Sequence, residues 1–301
     1  SDADAPARFL ASALTLDGRP RGYLCLGRRE HGSVFLSPDQ KLINAVALLT
    51  AVELENVRLQ RSELDKENLV KELELARTIQ QSLLPRDLSC PKFLQAAGVS
   101  EPCCEIGGDF FDLIPVNEDL CTLVIADVSG KGPPAALQAA MVQGIVNAIS
   151  RTSADLPSLM STLNQCLLTR SAKDRFVTAF AATLSSDGRL HYSNGGHTSP
   201  LWIQRSGQVV ELAQGGPLLG VLPEARYLQT HVPMAPGDLL VMYTDGITEA
   251  HDRERNCFGT ARLHEWARDQ RGRLPNAVKD SLIAALGDFC DGCRQEDDRS
   301  V

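Results

Sequence analysis

Four acidic segments hold the residues of this chain whose types and spacing could do chemistry. Two of them, at Asp127 and Asp245, follow apolar runs that are typical of buried strands. Taken singly, each acid could be a solvated turn residue. Taken together, carboxylates from distant segments suit a hard divalent cation, and without one they would repel each other. The segments therefore predict a metal site, and their acids are Asp109, Asp112, Asp127, Asp245, Asp297 and Asp298.

Glycines flank these acids and would let another group approach the backbone closely. They are Gly107, Gly108, Gly130 and Gly246. Two other motif assignments fail. The segment GGDFFD is not the GGDEF signature of diguanylate cyclases, because Phe110 stands at the acidic position. The pair Gly130-Lys131 is not a phosphate-binding P-loop, because Gly132 follows where Ser or Thr is needed.

Composition excludes several classes of function. The net charge is −8, whereas a nucleic-acid binder is expected to show a basic face. No apolar run approaches the ~20 residues of a membrane span, and no signal-like leader opens the sequence. We therefore expect a cytoplasmic protein with neither nucleic acid nor membrane as partner.

Cysteine usage indicates free thiols. The nine cysteines are odd in number and form no regular framework. Cys290 and Cys293 make a lone C-x-x-C, which offers too few ligands for a zinc site. All nine lie outside the four acidic segments in the sequence, so we expect thiol chemistry to be irrelevant to catalysis.

Upstream of the acidic segments, the pattern predicts a hairpin and then a long helix. Residues 9–27 alternate in strand fashion around Asp17-Gly18, and Ser37-Pro38 marks a helix start. From 42 to 83, apolar residues recur at three- and four-residue steps, in two seams offset by three residues. This predicts a parallel homodimeric coiled coil through 42–83; a single helix lying on its own domain is the alternative. Pro85 should end the helix.

Downstream, short strands are interrupted by a few helices, which predicts antiparallel sheets with helices outside, an α+β fold. We expect helices at 134–150, 156–169, 259–268 and 276–289, and strands near 93–99, 108–114, 120–126, 176–184, 189–193, 200–204, 208–212, 228–232 and 238–243.

The N-terminal spacing L-x-L-D-G-x-x-x-G-x-L-x-L, followed by the helix start at Ser37-Pro38, resembles the C-terminal half of a GAF sensor domain. The resemblance covers about the first fifth of the chain. A hairpin plus helix of no sensory role is the alternative.

The remaining motifs resemble one family of enzymes. In order from 72 to 301 they are E-L-x-x-A-R-x-I-Q-x-S-L-L-P, GGDFFD, ADVSGKG, NGGH, GPLLG, YTDGITEA and DDRS. They resemble the bacterial sporulation and stress-response branch of the metal-dependent (PPM, type 2C-like) serine/threonine protein phosphatases. The resemblance implies an antiparallel β-sandwich flanked by helices, a four-layer αββα fold. It divides the chain into a partial GAF domain at 1–57, a coiled-coil linker helix at 58–84 and a phosphatase domain at 85–301 with an incomplete last strand.

The resemblance also implies roles for the site residues. Asp127 would bridge two divalent cations, Mn²⁺ or Mg²⁺, and the other expected ligands are the Val128 carbonyl, Asp109, Asp245, Asp297 and Asp298. The expected supporting loops contain Gly107, Gly108, Asp112, Gly130 and Gly246, and the expected structural turn contains Asn194 and His197. Water activated by the cations, rather than a side chain, is the expected nucleophile.

Two departures from the type 2C pattern bear on mechanism. Eukaryotic members carry D-G-H-G where this chain has Asp127-Val128-Ser129-Gly130, so their histidine general acid has no counterpart here. Ser300 stands where a threonine is usual, which is a mild change.

The predicted function is hydrolysis of phosphoserine or phosphothreonine on a phosphorylated STAS-type anti-anti-sigma factor. The sensor would regulate this reaction through the linker helix, in a sigma-factor signalling pathway. Two alternatives stay open: an inactive phosphatase-like binding module and a dimeric sensor scaffold. Retention of all four acidic segments argues against the first, and phosphate release with and without manganese separates both from the enzyme.

Overall fold

A computed structural model of the chain describes residues 9–28, 34–83, 91–170 and 175–301. Its contacts divide the chain into two compact units, Ser1–Glu72 and Leu73–Val301. One helix, α1 (Ser37–Leu83), begins in the first unit and ends in the second. The expected helix end at Leu84 and Pro85 lies outside the described residues.

The first unit contains the predicted hairpin. Strand β1 (Leu10–Leu16) pairs antiparallel with β2 (Arg19–Leu26). Asp17 and Gly18 connect them with φ of 50° and 73°, the left-handed backbone that a two-residue hairpin turn requires.

Helix α1 uses one face to cover this hairpin. Its buried residues are Ile43, Ala47 and Ala51, which pack with β1 in two small apolar clusters. The predicted coiled-coil seam falls elsewhere on the helix, because Leu42 and Leu49 are 65% and 70% exposed. The same helix therefore covers its own hairpin with one face and leaves the heptad face uncovered within the first unit.

The second unit is built on a sheet with strand order β10-β7-β6-β5-β4, in which β11 also pairs with β7; all pairs are antiparallel except the parallel β10–β7 pair. A second sheet has the order β12-β8-β9, and β13 pairs with β3. The strands are β3 (Ser100–Glu101), β4 (Phe110–Asn117), β5 (Leu120–Val128), β6 (Val177–Ser185), β7 (Arg189–Gly195), β8 (Leu201–Ile203), β9 (Val209–Glu211), β10 (Gly215–Gly216), β11 (Thr230–Pro233), β12 (Leu239–Val241) and β13 (Arg299–Ser300).

Helices pack on the outside of both sheets. They are α2 (Pro133–Ser150), α3 (Leu156–Arg170), α4 (Asp245–Thr248), α5 (Gly259–Arg268) and α6 (Pro275–Cys290). One apolar cluster joins α2 and α3 to β4, β5 and β6; another joins α5 and α6 to β8 and β12; a third lies between the sheets around Phe180 and Trp202. The fold is α+β, as expected, and the four-layer αββα arrangement implied by the resemblance stays a prediction.

Two expectations differ from the structure. Residues 93–99 were expected to form a strand, but pairing begins at Val99, which exchanges two backbone hydrogen bonds with Val301. The reason is that the partner segment there is β13, which spans two residues. The segment after β12 forms the one-turn helix α4, which the sequence analysis did not anticipate. Across the described residues, no helix combines the length and apolar character needed to cross a membrane.

Candidate metal centre

Strands β4 and β5 bring the first two acids together. Phe110 pairs with Ala126 in an antiparallel register, so the next residues along, Asp109 and Asp127, face each other across the two strands. Asp109 is 5% exposed and Asp127 is half-buried. Two carboxylates thus meet at one end of the β4–β5 pair.

The glycine loop before Asp109 wraps the Asp298 carboxylate. The backbone N–H of Gly108 donates to Asp298 Oδ2 at 2.6 Å. A Cβ on Gly107 would lie 2.5 Å from Asp298 Oδ2, and a Cβ on Gly108 would lie 2.7 Å from the Val128 carbonyl oxygen. Both positions therefore need glycine, and the Val128 carbonyl lies beside the loop.

Thr244 ties three segments of the centre together. Its hydroxyl donates to Asp109 Oδ2 at 2.7 Å and accepts the backbone N–H of Ser300 at 3.0 Å. Its own N–H donates to the Ser300 carbonyl at 3.1 Å. The following helix α4 carries Asp245, and a Cβ on Gly246 would lie 2.0 Å from the Asp298 carbonyl oxygen. The segment that carries Asp297 and Asp298 is thus held close to the residues that follow β12.

Burial and like charge raise the pKa of these acids. Desolvation, followed by repulsion from Asp127, raises the pKa of Asp109 well above 3.8. Desolvation, followed by repulsion from Asp245 and Asp297, raises the pKa of Asp127 to about 7. The pKa of Asp245 is also raised, by desolvation and then by Glu249 and Asp297. These acids repel one another in the absence of a counter-charge.

A lysine supplies part of that counter-charge. Lys131 Nζ lies 3.3 Å from Asp297 Oδ1 and also donates to the Glu296 carbonyl. It sits in the glycine loop after β5, where Gly130 and Gly132 have φ of 95° and 74°, backbone that glycine adopts without strain. The single positive charge of this exposed lysine does not balance the charges of several buried carboxylates, so bound cations would still be favourable.

The donor set fits hard divalent cations. The side chains that converge are carboxylates, with the Val128 carbonyl beside them, and oxygen ligands of this kind bind Mg²⁺ or Mn²⁺. Ligand atoms of Asp297, Asp298 and Cys103 lie within 4.8 Å of one another. Close packing at Gly107, Gly108 and Gly246 keeps side chains out of the space around the acids.

Cys103 reaches this centre although it lies outside the acidic segments in the sequence. Its backbone N–H donates to Asp298 Oδ1 at 2.8 Å. Burial, followed by the charge of Asp298, raises the pKa of its thiol to about 12. The thiol is therefore protonated near neutral pH and is a poor nucleophile.

Asp112 lies apart from the other acids. It is buried at β4, and its carboxylate accepts hydrogen bonds from the Asn147 side chain at 2.6 Å and the Leu113 backbone N–H at 2.8 Å. Desolvation raises its pKa, and hydrogen bonds, led by that from Gln143, oppose the shift. Its contacts join β4 to helix α2, which supports the centre from one side.

The predicted turn is closed by its own side chains. The side-chain oxygen Oδ1 of Asn194 accepts the His197 backbone N–H at 2.7 Å, and Nδ2 of the same side chain donates to the His197 backbone carbonyl at 3.0 Å. The His197 ring is buried, with Nδ1 2.8 Å from Thr178 Oγ1. Burial lowers the pKa of His197 to about 4, so the ring is neutral near pH 7 and has no extra proton to give.

The end of helix α1 contacts the loop of Gly107 and Gly108, which precedes Asp109. The Gln80 amide donates to the Gly107 carbonyl at 2.7 Å, and its carbonyl accepts the Gly107 N–H at 3.2 Å. The Gln143 amide of α2 donates to the Leu83 carbonyl at 2.8 Å. Sequence reasoning assigned no role to Gln80, Cys103 or Thr244, although Gln80 and Thr244 lie within two of the motifs that carry the family resemblance.

The architecture matches a known class of domain. The solved SiaA-PP2C domain of Pseudomonas aeruginosa superposes with a TM-score of 0.69, at 22% identity, over 78% of this chain and 96% of that one. The chain therefore shares the α+β fold of PP2C-type domains.

The family follows from the sequence comparison. The pattern of Stage II sporulation protein E (SpoIIE) matches residues 117–301, more than half of the chain. The chain belongs to the SpoIIE family.

Two characterised relatives share a large part of the chain. Protein IcfG of Synechocystis is 29% identical over 258 residues, which cover 75% of this chain and 40% of IcfG. Phosphoserine phosphatase RsbU of Bacillus subtilis is 27% identical over 195 residues, which cover 64% of this chain and 57% of RsbU. The match thus spans about half the length of these relatives.

Proposed function

We propose that this chain is a metal-dependent protein phosphatase that hydrolyses phosphoserine or phosphothreonine. The observation that carries the proposal is the meeting of Asp109, Asp127 and Asp298, from three distant segments, in a largely buried centre. The relative named phosphoserine phosphatase RsbU supports the reaction type.

The residues proposed to hold two cations, Mn²⁺ or Mg²⁺, are Asp109, Asp127, the Val128 carbonyl, Asp245, Asp297 and Asp298. Bound there, such ions would lower the pKa of water and neutralise phosphoryl oxygens. The chain itself orients the ligands: Thr244 fixes Asp109, and the Gly108 N–H fixes Asp298. His197 is buried and neutral, so a proton for the leaving group comes from elsewhere.

The proposed substrate is a phosphorylated STAS-type protein, which places the chain in sigma-factor regulation. RsbU supports this as a related phosphoserine phosphatase.

Regulation is proposed to run through helix α1. A GAF-type sensor at 1–57 would act on the centre through the helix, whose Gln80 holds the backbone of Gly107. Since Gly107 adjoins Gly108 and Asp109, a shift of this end of the helix would move two groups of the centre. The uncovered apolar face of α1, including Leu42, Leu49 and Leu59, supports a parallel homodimer.

The test is phosphate release from a phosphorylated STAS protein by the full chain. We expect turnover with manganese, none after chelation, and recovery when manganese is returned. Asp127→Asn and Asp245→Asn should each abolish it. Binding of the phosphoprotein without turnover would favour the inactive binding module, and neither binding nor turnover by a stable dimer would favour the scaffold.

A further inference from the structure

A thiol lies against the terminal acidic pair. The backbone N–H of Cys103 donates a hydrogen bond to Asp298 Oδ1, which fixes this stretch of backbone at the metal centre. One ligand atom each from Cys103, Asp297 and Asp298 lies within 4.8 Å of the others. Cys103 and Asp297 are half-buried and Asp298 is buried. A sulfur atom thus stands beside two carboxylates that the proposed function assigns to hard cations.

We propose that Cys103, Asp297 and Asp298 form a binding site for zinc, which competes there with Mn²⁺ or Mg²⁺. Zinc takes thiolate and carboxylate ligands together, whereas magnesium and manganese prefer oxygen alone. The inference rests on the proposed metal centre and adds a sulfur ligand to one end of it. Lys131, which pairs with Asp297 Oδ1, would be displaced or share that carboxylate.

The three atoms need a small contraction to hold the ion. Zinc bonds to sulfur at about 2.3 Å and to carboxylate oxygen at about 2.0–2.2 Å, which puts tetrahedral sulfur and oxygen ligands about 3.5 Å apart. Atoms spread over at most 4.8 Å therefore close by about 1 Å. The Asp298 carboxylate is already oriented by the N–H groups of Cys103 and Gly108, and each of its oxygens keeps a lone pair for the ion.

Binding would convert the thiol to a thiolate and release its proton to water. The ion would occupy Asp297 and Asp298, so it would block part of the hard-cation site. Cys104, whose sulfur lies 3.7 Å from that of Cys103, is not part of the ligand group and serves as the matched control.

The test uses cobalt(II) as a spectroscopic probe of the metal-free full chain. A sulfur ligand gives a charge-transfer band in the near ultraviolet, which oxygen ligands do not give. We expect the band in the unaltered chain and in Cys104→Ser and Cys293→Ser, and its loss in Cys103→Ser. Cys103→Ser should also weaken zinc binding at least tenfold, measured by competition with a chromophoric chelator, while Mn²⁺ affinity changes less than twofold.

Three results would overturn the inference: no band in the unaltered chain, a band that survives Cys103→Ser, or a band lost in Cys104→Ser. The cobalt spectrum of Cys103→Ala is measured as well, and thermal unfolding of each variant shows that it folds. Manganese-dependent phosphate release without the cobalt band would contradict this inference and leave the proposed function standing. The cobalt band without any phosphate release would support this inference and contradict the proposed function.

Discussion

At the scale of residues, the centre depends on groups that carry no charge. Thr244 connects Asp109 to the backbone of Ser300, and Gly246 lets the Asp298 carbonyl approach. Neither residue could bind a cation through a carboxylate, yet both set where the carboxylates lie. Two predictions follow from their contacts.

Thr244→Val keeps the shape of the side chain and removes its hydroxyl. Asp109, which is 5% exposed, then loses one hydrogen-bond donor, and the Ser300 N–H loses its acceptor. We expect a loss of about 1–3 kcal/mol in the free energy of unfolding, because buried polar groups are left unpaired. Thr244→Ser keeps the hydroxyl and should lose less; denaturant unfolding measures both. Equal losses in the two variants would mean that the hydroxyl contributes no more to stability than the methyl group does.

Gly246→Ala places a Cβ 2.0 Å from the Asp298 carbonyl oxygen, so the terminal segment must move. We expect a loss of about 1–3 kcal/mol in stability, as for other overpacked sites, together with weaker manganese binding. Gly287→Ala in α6 is the control, because its Cβ meets nothing within 4 Å. That change should be neutral or stabilising by up to about 1 kcal/mol. Manganese affinity unchanged in Gly246→Ala would contradict the placement of Asp298.

At the scale of elements, helix α1 has a direct contact with the centre. Gln80 makes two hydrogen bonds with the backbone of Gly107, one with its carbonyl and one with its N–H. Gly107 lies two residues before Asp109 in the chain. The contact belongs to the same compact unit as the acids. Helix position and loop position are therefore linked through one side chain.

Gln80→Leu removes both hydrogen bonds and keeps the side-chain size. We expect manganese affinity to fall roughly fivefold, since one net hydrogen bond is worth about 1 kcal/mol. The neighbouring Gln81 is exposed, so Gln81→Leu is the matched control and should change nothing. Calorimetric titration with manganese measures the two affinities. If both variants bind manganese like the parent chain, helix α1 is a passive tether.

At the scale of the whole molecule, the buried acids make stability depend on pH and metal. Folding raises the pKa of Asp127 from 3.8 to about 7, so between these values the native chain binds more protons than the unfolded one. The contribution of this group to stability is therefore full below about pH 4 and is lost as pH rises through 7. A bound cation replaces the proton and removes the repulsion.

We accordingly expect manganese to raise the unfolding midpoint far more at pH 7.5 than at pH 5. The physical reason is that protons occupy the carboxylates at the lower pH and compete with the ion. Scanning calorimetry with and without manganese at the two pH values measures this, with Asp127→Asn as the control that should lose most of the difference. An equal shift at both pH values would mean that the acids are already ionised at pH 5.

The sequence predicted the acids of the candidate centre but not the contacts that hold them. Asp127 and Asp245 were singled out because each follows an apolar run, and the α+β class followed from strand and helix periodicity. The contacts of Gln80, Thr244 and Cys103 could not be predicted because their partners lie 27, 56 and 195 residues away, a separation that no local pattern encodes. The face of α1 that packs on the hairpin was also hidden, since small Ala47 and Ala51 do not stand out in a heptad pattern.

The central claim is that distant carboxylates form one two-cation centre. Isothermal titration of the metal-free full chain with manganese tests it most directly. The account predicts two ions per chain, and the loss of at least one in Asp127→Asn, with the fold unchanged by circular dichroism. An Asp112→Asn variant should keep both ions, because Asp112 binds Asn147 and the backbone instead. No manganese binding, or unchanged stoichiometry and affinity in Asp127→Asn, would contradict the account.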